Sequence, residues 1–406
     1  MNDTESTDLL RRIADALERI APDVEGRPHA PAGCFWRIAA RRAVLAAGAL
    51  ERPVAFPNND RPGVMMAGAV RAYLNRWGVA AGRSVVVFGN NDSAHRTVGD
   101  LQEAGVHVAA LVDARAHATC AHDVAFFPGA QVSGTAGRRG VEAVCIATPR
   151  GEERIAADTV AVSGGWNPTV HLACHTGARP VWDEARAAFL PPEGAVPGMV
   201  AAGAAAGHFS TRACLESGLA EGRRAVEALG LKAAALDLPP ASSGAYDILP
   251  LWQVEGRGRA WLDFQNDVTV KDVTLAAKEN FRSVEHMKRY TTQGMAPDQG
   301  KNSNVAALAV LAEATGRSIP GTGTTTFRPP YVPVPIAAMG AGGKGKSFAP
   351  ERFTTSHAGT IRRGAPVIEA GLWYRPSYFP RKGESHWRQS CDREATMVRE
   401  AVGVCD

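Results

Sequence analysis

The residues best suited to bind an anion lie in the second half of the chain, in the extended, proline-rich stretch TGTTTFRPPYVPVPI. The candidates in this stretch are three consecutive threonines and an arginine: Thr324, Thr325, Thr326 and Arg328. Hydroxyl groups and a guanidinium suit the geometry of a phosphate, because both donate hydrogen bonds to its oxygens. Three nearby cations, Lys288, Arg289 and Lys301, either form an ordinary solvated basic face or belong to the same anion site.

A second candidate binding turn follows the apolar run VPGMVAAGAAAG at residues 196–207. This run predicts a strand that ends in small residues, and FSTRACLESGLAEGRRAVEAL predicts a helix directly after it. Backbone N–H groups at the start of such a helix face the turn and favour an anionic ligand. Close packing of helix on strand is the alternative explanation of the small residues, but we predict a binding turn. The candidate contacts, together with the glycine that ends an earlier predicted strand, are Gly48, Gly203, Ala204, Phe209 and Thr211.

Other reactive side chains form no recognisable site. His171, Cys174 and His175 in HLACH have the spacing of metal ligands on a helix, but no second ligand group completes them, so no metal is predicted. The seven cysteines are widely spread without a CxxC pair, which favours reduced thiols over disulfides or structural zinc. Neither a Ser/His/Asp set nor paired carboxylates can be recognised, so no catalytic residue is predicted.

The overall composition is that of a globular protein. The 406 residues are 45% hydrophobic and 21% charged, which excludes disordered, collagen-like and disulfide-scaffold proteins. No apolar run of about 18 residues could span a membrane, and the start of the chain lacks the apolar centre of a signal peptide. The net charge is only +4, without a basic run interleaved with aromatics. We therefore expect a cytoplasmic protein without membrane or nucleic-acid partners.

The clearest predicted elements form a βαβ unit. Residues 83–89 (RSVVVFG) predict a strand, SAHRTVGDLQEAG predicts a helix that ends at Gly105, and VHVAALVDAR predicts a strand that ends in Asp113. The intervening turn, GNNDSA, has one glycine where a dinucleotide site needs three, and Asp92 would repel a phosphate. Asp92 or Ser93 is instead predicted to cap the helix. We expect a structural Rossmann-like unit that binds no nucleotide.

Further apolar runs surround this unit. They predict strands at residues 38–48 and 155–166 and a helix over residues 63–77. The two glycine-ended strands on either side of a complete βαβ unit indicate that the unit is an insertion. We therefore expect residues 155–235 to return to the sheet that contains residues 38–48.

A domain boundary is predicted at the Pro/Ser-rich residues 232–247, where the first lysine of the chain also occurs. The sequence pattern changes after this boundary. Short helices are predicted after it. Thr269 caps the first, Ser283 caps the second, and Gly294 ends the second. Residues 302–314 predict a third helix with one apolar face.

Several segments, in this order, closely resemble the alpha subunit of heterotetrameric sarcosine oxidase. They are RAVLAAGALERP, NNDRPGVMMA, NDSAHRT, VAVSGGWNP, GAAAGHFSTRACLESG, LDFQNDVT, DQGKNSN and TTTFRPPY. The last piece, GESHWRQSCDREATMVREAVGVCD, resembles the opening of that subunit's aminomethyltransferase-like, folate-binding domain. The resemblance covers nearly all of residues 12–406. The family's opening iron–sulfur-type domain and its full GxGxxG turn have no counterpart in this sequence. We therefore expect an internal fragment of a longer subunit that is inactive alone.

The resemblance and the predicted elements together imply an α/β fold. An FAD/NAD(P)-binding type domain contains an inserted Rossmann-like subdomain and is followed by a small, mainly helical domain and a partial C-terminal domain. The expected divisions are an N-terminal segment (1–35), an NAD-binding, disulfide-reductase-like domain (36–235) with an inserted subdomain (81–150), a helical domain (248–330), a linker (331–383) and the start of the folate-binding domain (384–406).

The resemblance also implies a function. The whole enzyme would oxidatively demethylate sarcosine with oxygen, using FAD, a covalently held FMN, NAD and tetrahydrofolate. Amine oxidation would occur in the beta subunit, with further gamma and delta subunits as partners. The alpha subunit would hold NAD at the turn 203–211 and help to enclose FMN at the interface with beta, where residues 324–328 would meet the flavin phosphate. The alternatives are a stand-alone pyridine-nucleotide/flavin oxidoreductase of the disulfide-reductase type, and a non-catalytic assembly subunit.

The helical domain resembles the small iron–sulfur domain of the bacterioferritin-associated ferredoxin type. That domain holds its cluster on a CxC and a CxxxxC, and clusters of this kind are held by thiolates. Four other residues stand at the cysteine positions: Asp263, Gln265, Asp298 and Ser303. We therefore expect the scaffold without its cluster.

Overall fold

A computed structural model of the chain describes residues 38–244, 246–335, 338 and 351–403. The predicted N-terminal segment 1–35 and the last residues of the predicted folate domain, 404–406, lie outside the described residues. The described residues form two compact units, one of residues 39–333 and the other of Ile38 with the described residues after Pro333. No helix in this part of the chain is both long and apolar enough to cross a membrane.

In the described residues, strands predominate in the first part of the first unit and helices in its last part. The strands are β1 (Ala43–Leu45), β2 (Ala49–Glu51), β3 (Val64–Met66), β4 (Ser84–Gly89), β5 (His107–Asp113), β6 (Phe126–Pro128), β7 (Gln131–Ala136), β8 (Ala143–Thr148), β9 (Gly151–Ala156), β10 (Thr159–Ser163), β11 (Trp166–Pro168), β12 (Val181–Asp183), β13 (Ala188–Leu190), β14 (Met199–Ala201), β15 (Trp261–Asp263), β16 (Val268–Thr269), β17 (Arg352–Phe353), β18 (Val367–Ala370) and β19 (Trp373–Pro376). The helices are α1 (Ala67–Trp77), α2 (Ser93–Glu103), α3 (His171–Cys174), α4 (Thr211–Glu227), α5 (Val270–Lys278), α6 (Val284–Thr291), α7 (Asn304–Thr315), α8 (Ile319–Thr322), α9 (His357–Arg362) and α10 (Trp387–Glu400).

A five-stranded parallel sheet with the order β3-β10-β4-β5-β6 forms the centre of the first unit. Successive side chains of a strand point to opposite faces, and both faces of this sheet are covered. Val85 and Val87 of β4 pack with α1 and α2 on one side. Val86 and Phe88 pack on the other side with the antiparallel sheet β7-β8-β9. The continuous apolar run of the predicted βαβ strand is therefore explained by burial on both faces.

Strand β1 pairs in parallel with β14, with Ala43 opposite Met199. Residues 43–45 and 199–201 thus share a sheet, as the sequence predicts for this pair. The prediction that residues 155–235 return to this sheet is wrong for β10, which pairs with β3 and β4 instead. The predicted strand over residues 38–48 is also shorter than expected, because only residues 43–45 find a partner.

Two predicted helical features differ from the observed ones. The predicted helix over residues 63–77 begins as β3, because Val64–Met66 pair with β10 and only Ala67–Trp77 are helical. At helix α2 the side chain of Asn91, not of Asp92 or Ser93, accepts a hydrogen bond from the first turn, at 3.0 Å from the Ser93 nitrogen. Asp92 is engaged elsewhere, because its carboxylate pairs with Arg115 at 2.7 Å.

The helical region packs around α7. The predicted caps are confirmed: Thr269 forms a capping box at α5, and the Ser283 hydroxyl accepts from the α6 backbone. Helix α6 ends at Thr292, which adopts a positive φ, and not at Gly294. The prediction of one apolar face for α7 is wrong, because residues 306–312 are all buried. Their alanines are small enough for neighbouring elements to pack on every side of the helix.

The second compact unit is small in the described part. Strand β19 pairs in parallel with β17 and antiparallel with β18. Ahead of α10, the side chain of Glu384 accepts from the Arg393 guanidinium and from the Ser390 hydroxyl. These contacts hold the pKa of Glu384 well below its usual range, to about 2. The amphipathic helix expected near the end of the chain is thus present as Trp387–Glu400.

Candidate functional site

A cleft of about 360 Å³ opens on the helical region of the first unit. Three cations and two threonines line it, together with one carboxylate and one imidazole. The residues of interest are His171, Glu285, Lys288, Arg289, Thr325, Thr326 and Arg328. The structure therefore brings most of the sequence-predicted anion-binding residues to one place, although they come from separate parts of the chain.

Helix α6 supplies three of the charged groups on one face. Glu285, Lys288 and Arg289 are spaced by three and four residues, so their side chains are neighbours on the helix surface. The Arg289 guanidinium lies 3.2 Å from the Glu285 carboxylate. The backbone N–H of Thr326 also donates to this carboxylate, at 2.8 Å. Glu285 therefore attaches the threonine segment to α6 and orients it against the cations.

The segment after the threonines is anchored on the loop between α6 and α7. The side-chain amide of Gln299 donates to the Pro330 carbonyl at 2.6 Å. The Lys301 ammonium donates to the carbonyls of Asp298 and Tyr331 and lies 4.4 Å from the centre of the Tyr331 ring. Lys301 is thus a structural anchor, and it lines a smaller neighbouring cavity of about 40 Å³ instead of the cleft.

The cleft has a net positive charge. Burial alone would raise the pKa of Glu285, but the Thr326 N–H and the charges of Lys288, Arg289 and Arg328 hold it below its usual value. One carboxylate against three cations leaves two positive charges. A phosphate monoester carries close to two negative charges at neutral pH, so the set matches such a group in charge as well as in donors.

His171 forms a buried wall of both cavities. Its ring lies edge-on to Phe327 and Tyr331, at centroid distances of 4.7 and 5.2 Å. Burial, with the nearby charges of Lys301 and His175, lowers the pKa of His171 to about 4, so its imidazole is neutral at pH 7. Its Nδ1 atom is buried without a hydrogen-bond partner among the residues that the structure describes. This orphaned nitrogen is what a polar ligand group in the cleft could satisfy.

Not every predicted residue lines this cleft. Thr324 lines the smaller cavity with Lys301, whereas Thr325 borders both cavities. Glu285 was not among the site residues predicted from the sequence. Its spacing from Lys288 and Arg289 was the signal that could have placed it with them.

The second candidate turn lies where two parallel strands end. Gly48 and Gly203 follow β1 and β14, and the Ala202 N–H donates to the Leu45 carbonyl at 3.0 Å. Both glycines have a positive φ, and Gly203 and Ala204 begin a short 3-10 helix. Since ligands of open α/β folds bind beyond the carboxyl ends of strands, the position is suitable for a dinucleotide.

The remaining predicted contacts of this turn are placed differently. Thr211 is exposed and is the first residue of α4, whose N-terminus is capped by the Ser210 side chain. Phe209 packs on the Tyr246 ring at 4.7 Å. A cavity of about 460 Å³ beside β14 is lined by Ala206, but not by the five predicted residues. The structure thus places Gly48, Gly203 and Ala204 beyond the ends of β1 and β14, outside the lining of this cavity.

Two of the positions that correspond to cluster cysteines, Asp263 and Ser303, are engaged in ordinary hydrogen bonds, whereas one carboxylate oxygen of Asp298 is buried without a partner among the described residues. The Asp263 carboxylate accepts from the backbone N–H groups of Gln265 at 2.9 Å and Gly294 at 2.7 Å. The Ser303 hydroxyl accepts from the Gln293 amide at 2.7 Å. A carboxylate that gathers loop N–H groups gives this scaffold an internal anion.

Comparison with known proteins agrees with the resemblance seen in the sequence. The family described as the sarcosine oxidase A3 domain matches residues 257–343, which include most of the cleft. The sarcosine oxidase subunit alpha of Rhizobium meliloti (strain 1021) is 45% identical over 97% of this chain. The chain is a relative of the sarcosine oxidase alpha subunits. The subunit alpha of Corynebacterium sp. (strain P-1) is 40% identical over 92% of the chain.

This alpha-subunit relative spans about 40% of the length of both of these proteins. Its fold is also found in a solved structure, the L-proline dehydrogenase of P. horikoshii. The two share a TM-score of 0.57 at 20% identity over 74% of this chain and 58% of that one. The alpha-subunit relative therefore has the mixed α/β fold of such oxidoreductases, with a helical region after the nucleotide-binding type region.

Proposed function

We propose that this chain is the cofactor-holding part of the alpha subunit of a flavin-dependent sarcosine oxidase. The observation that supports this most is the cationic cleft, in which Lys288, Arg289 and Arg328 face Thr325 and Thr326. The residues fit a flavin monophosphate: two net positive charges suit one phosphate monoester, and hydroxyls add donors. FMN bound there would supply a group that accepts electrons, at the interface with a beta subunit.

The residues of the chain have binding roles in this proposal. Arg328 and the two α6 cations hold the phosphate, and Glu285 keeps them and the threonine segment in place. The neutral His171 forms the apolar wall with Phe327 and offers its unpaired nitrogen to a polar ligand atom. No side chain of this cleft is assigned as acid, base or nucleophile, so amine oxidation itself belongs to the partner subunit.

The rest of the proposed function follows the resemblance. We propose that the whole cytoplasmic complex oxidises sarcosine with oxygen and passes its methyl carbon to tetrahydrofolate, with FAD and the beta, gamma and delta subunits completing it. NAD is proposed to bind at the turn 203–211, beyond the ends of β1 and β14. Residues 384–403 would begin the folate-binding domain.

Coexpression with a beta subunit tests the flavin proposal. Replacing Arg328 by Met keeps the length of the side chain but removes a charged donor, and Lys288→Met does the same on α6. Each change should weaken FMN by about 10- to 100-fold, the range for a hydrogen bond to a charged group. FMN is measured by the flavin absorbance of the purified complex after reconstitution at a series of FMN concentrations.

The matched control is Arg282→Met, because Arg282 is exposed just before α6 and does not line the cleft. It should bind FMN like the unmodified chain. Unchanged FMN affinity in both Arg328→Met and Lys288→Met would place the flavin phosphate elsewhere and contradict the proposal.

The NAD proposal has its own test at Ala204. Ala204→Asp brings a carboxylate close to the expected pyrophosphate, so repulsion and lost space should weaken NAD by about 1–3 kcal/mol. Calorimetric titration of NAD into the complex measures the change. Ala220→Asp is the control, because Ala220 is exposed on α4. Equal NAD affinity in the two variants would locate NAD away from this turn.

A further inference from the structure

The chain covers the turn of its own βαβ unit with residues 246–249, here called the strap. Asn91 of the turn forms an antiparallel bridge with Ile248 of the strap. The Leu249 N–H donates to the Asn90 carbonyl at 2.9 Å, and the Asn90 side-chain amide donates back to the Leu249 carbonyl at 2.8 Å. The strap thus lies where the βαβ turn of a dinucleotide-binding protein receives its pyrophosphate.

The N–H groups at the start of α2 are satisfied within the chain. The Asp92 N–H donates to the Asp247 carbonyl at 3.3 Å, and the Ser93 N–H donates to the Asn91 side chain at 3.0 Å. The Ala94 N–H lies 3.3 Å from the Asn91 carbonyl oxygen. These are the donors that a bound phosphate would need, and none of the three is left for one.

The carboxylate of the strap residue Asp247 pairs with the cation that follows β5. One Asp247 carboxylate oxygen lies 3.1 Å from the Arg115 guanidinium and 2.8 Å from the ring of His117. The Asp247 N–H also donates to the Asp92 carboxylate at 2.7 Å. The Arg115 side chain is buried, but the Asp247 side chain is about half exposed, so water partly screens this ion pair. The bridge to Asn91 and the two hydrogen bonds between Leu249 and Asn90 therefore hold the strap together with it.

The carboxylate of Asp113, the acidic residue at the end of β5, also has its hydrogen-bond partners within the chain. In a dinucleotide-binding βαβ unit this residue accepts from the ribose hydroxyls. Here Asp113 is fully buried and accepts from the Arg115 guanidinium at 2.8 Å and from the His95 ring at 2.8 Å. The Arg115 backbone N–H, at 2.9 Å, completes its partners. No free oxygen of this carboxylate faces a ligand.

We propose that the βαβ unit of residues 84–115 is a nucleotide-type site that the strap of the same chain occupies. The Asp247 carbonyl accepts from the Asp92 N–H at the start of α2, and the Asp247 carboxylate pairs with Arg115. The strap closes the site to nucleoside diphosphates and nicotinamide dinucleotides. NADH and NADPH are thereby excluded from this unit. Under the proposed function, a flavin in the cationic cleft then receives its electrons from the amine and not from a dinucleotide bound here.

Photolabelling with 8-azidoadenosine 5′-diphosphate, followed by peptide mapping, tests the closed site. The opened variant is Asp92→Gly with Asp247→Gly, which removes both carboxylates while Asp113 still pairs with Arg115. The unmodified chain should show no label in the peptides of residues 84–115. The opened variant should show at least tenfold more label there at the same probe concentration.

The control variant is Asp237→Gly, a loss of one exposed aspartate from the same linker. It should behave like the unmodified chain. Strong labelling of residues 84–115 in the unmodified chain would overturn the proposal. So would an opened variant that remains folded, exchanges its strap amides rapidly and stays unlabelled. Label at residues 203–211 is a separate readout, so failure of the NAD proposal can be told apart from failure of this one.

A second measurement does not depend on any variant. The amide hydrogens of Asp247 and Leu249 are donated to Asp92 and Asn90, so they should exchange with deuterium slowly in the unmodified full chain. Fast exchange of these two amides would show that the strap does not hold the site closed.

Discussion

Glu51 is a buried carboxyl at the end of β2. The Ser163 hydroxyl donates to it at 2.6 Å, and the Gly68 N–H in the first turn of α1 donates to its other oxygen. Despite these donors, burial raises the pKa of Glu51 from 4.5 to about 7. The desolvation of the charged form therefore outweighs the hydrogen bonds, and the folded state holds a proton that the unfolded chain releases.

The raised pKa of Glu51 predicts a specific pH dependence. Between pH 4.5 and about 7 the folded state binds more protons than the unfolded chain, so the free energy of unfolding falls as pH rises through this range. The full effect is about 3 kcal/mol. Glu51→Gln stays neutral and should lack this fall. Urea denaturation of both chains at pH 5 and pH 8 measures the difference, and parallel pH profiles would contradict the prediction.

Individual residues were predictable from the sequence when their partners are close in the chain. Thr269 and Ser283 were recognised as caps because a cap needs only the next three residues. Asp92 was assigned the wrong role because Arg115 and Asp247 compete for its carboxylate, and Asp247 lies far along the chain. The local capping rule fails at Asp92 because the buried Arg115 guanidinium offers its carboxylate a stronger contact.

At the scale of an element, the capping box of α5 gives a measurable contribution to stability. The Thr269 hydroxyl accepts from the Asp272 N–H, and the Asp272 carboxylate accepts from the Thr269 N–H at 2.8 Å. Thr269→Ala should lower the free energy of unfolding by about 1 kcal/mol. Thr269→Ser keeps the hydroxyl and should cost clearly less. Equal melting temperatures for these two variants would mean that the cap contributes nothing.

Helix α7 makes the strongest prediction about packing. Leu311 is fully buried among the helices of the region. Leu311→Ala should destabilise the chain by about 2–5 kcal/mol, the usual range for a buried leucine. Leu275→Ala on α5 is the control, because Leu275 is 46% exposed. Chemical denaturation of the two variants compares them, and similar losses would show that α7 packs loosely.

Elements were predictable where hydrophobic period and length agree. Helix α2 and strands β4 and β5 have the boundaries that their patterns indicate, within a residue or two. Val64–Met66 were assigned to a helix because their apolar run continues into α1, and only pairing with β10 makes them a strand. The environment of α7 was missed because alanine gives a weak apolar pattern whether or not it is buried. In each case the deciding contact is distant in sequence.

At the scale of the molecule, the helical region should hold no iron–sulfur cluster. The four cysteine positions of the ferredoxin-type scaffold are taken by Asp263, Gln265, Asp298 and Ser303, which offer no thiolate. Iron and acid-labile sulfide should both be absent when the full chain is purified under argon. Stoichiometric iron and sulfide would contradict this prediction.

The cationic cleft could be predicted from the sequence only in part. The threonine segment and the cations of α6 were each recognised from residue type, but about 40 positions separate them in the chain. Glu285, which joins the two through the Thr326 N–H, acts only once the helical region has folded. The sequence therefore predicted the chemical groups of this cleft but not how they are arranged.

The pairing of β1 with β14 has a consequence for the order of folding. Its partners are about 150 residues apart in the chain, and closing so long a loop is entropically costly for two short strands. The βαβ unit between them has local contacts and is expected to form first. The turn 203–211 is then completed in the last step of folding. A ligand bound at that turn would leave early folding unchanged and would mainly slow the first step of unfolding.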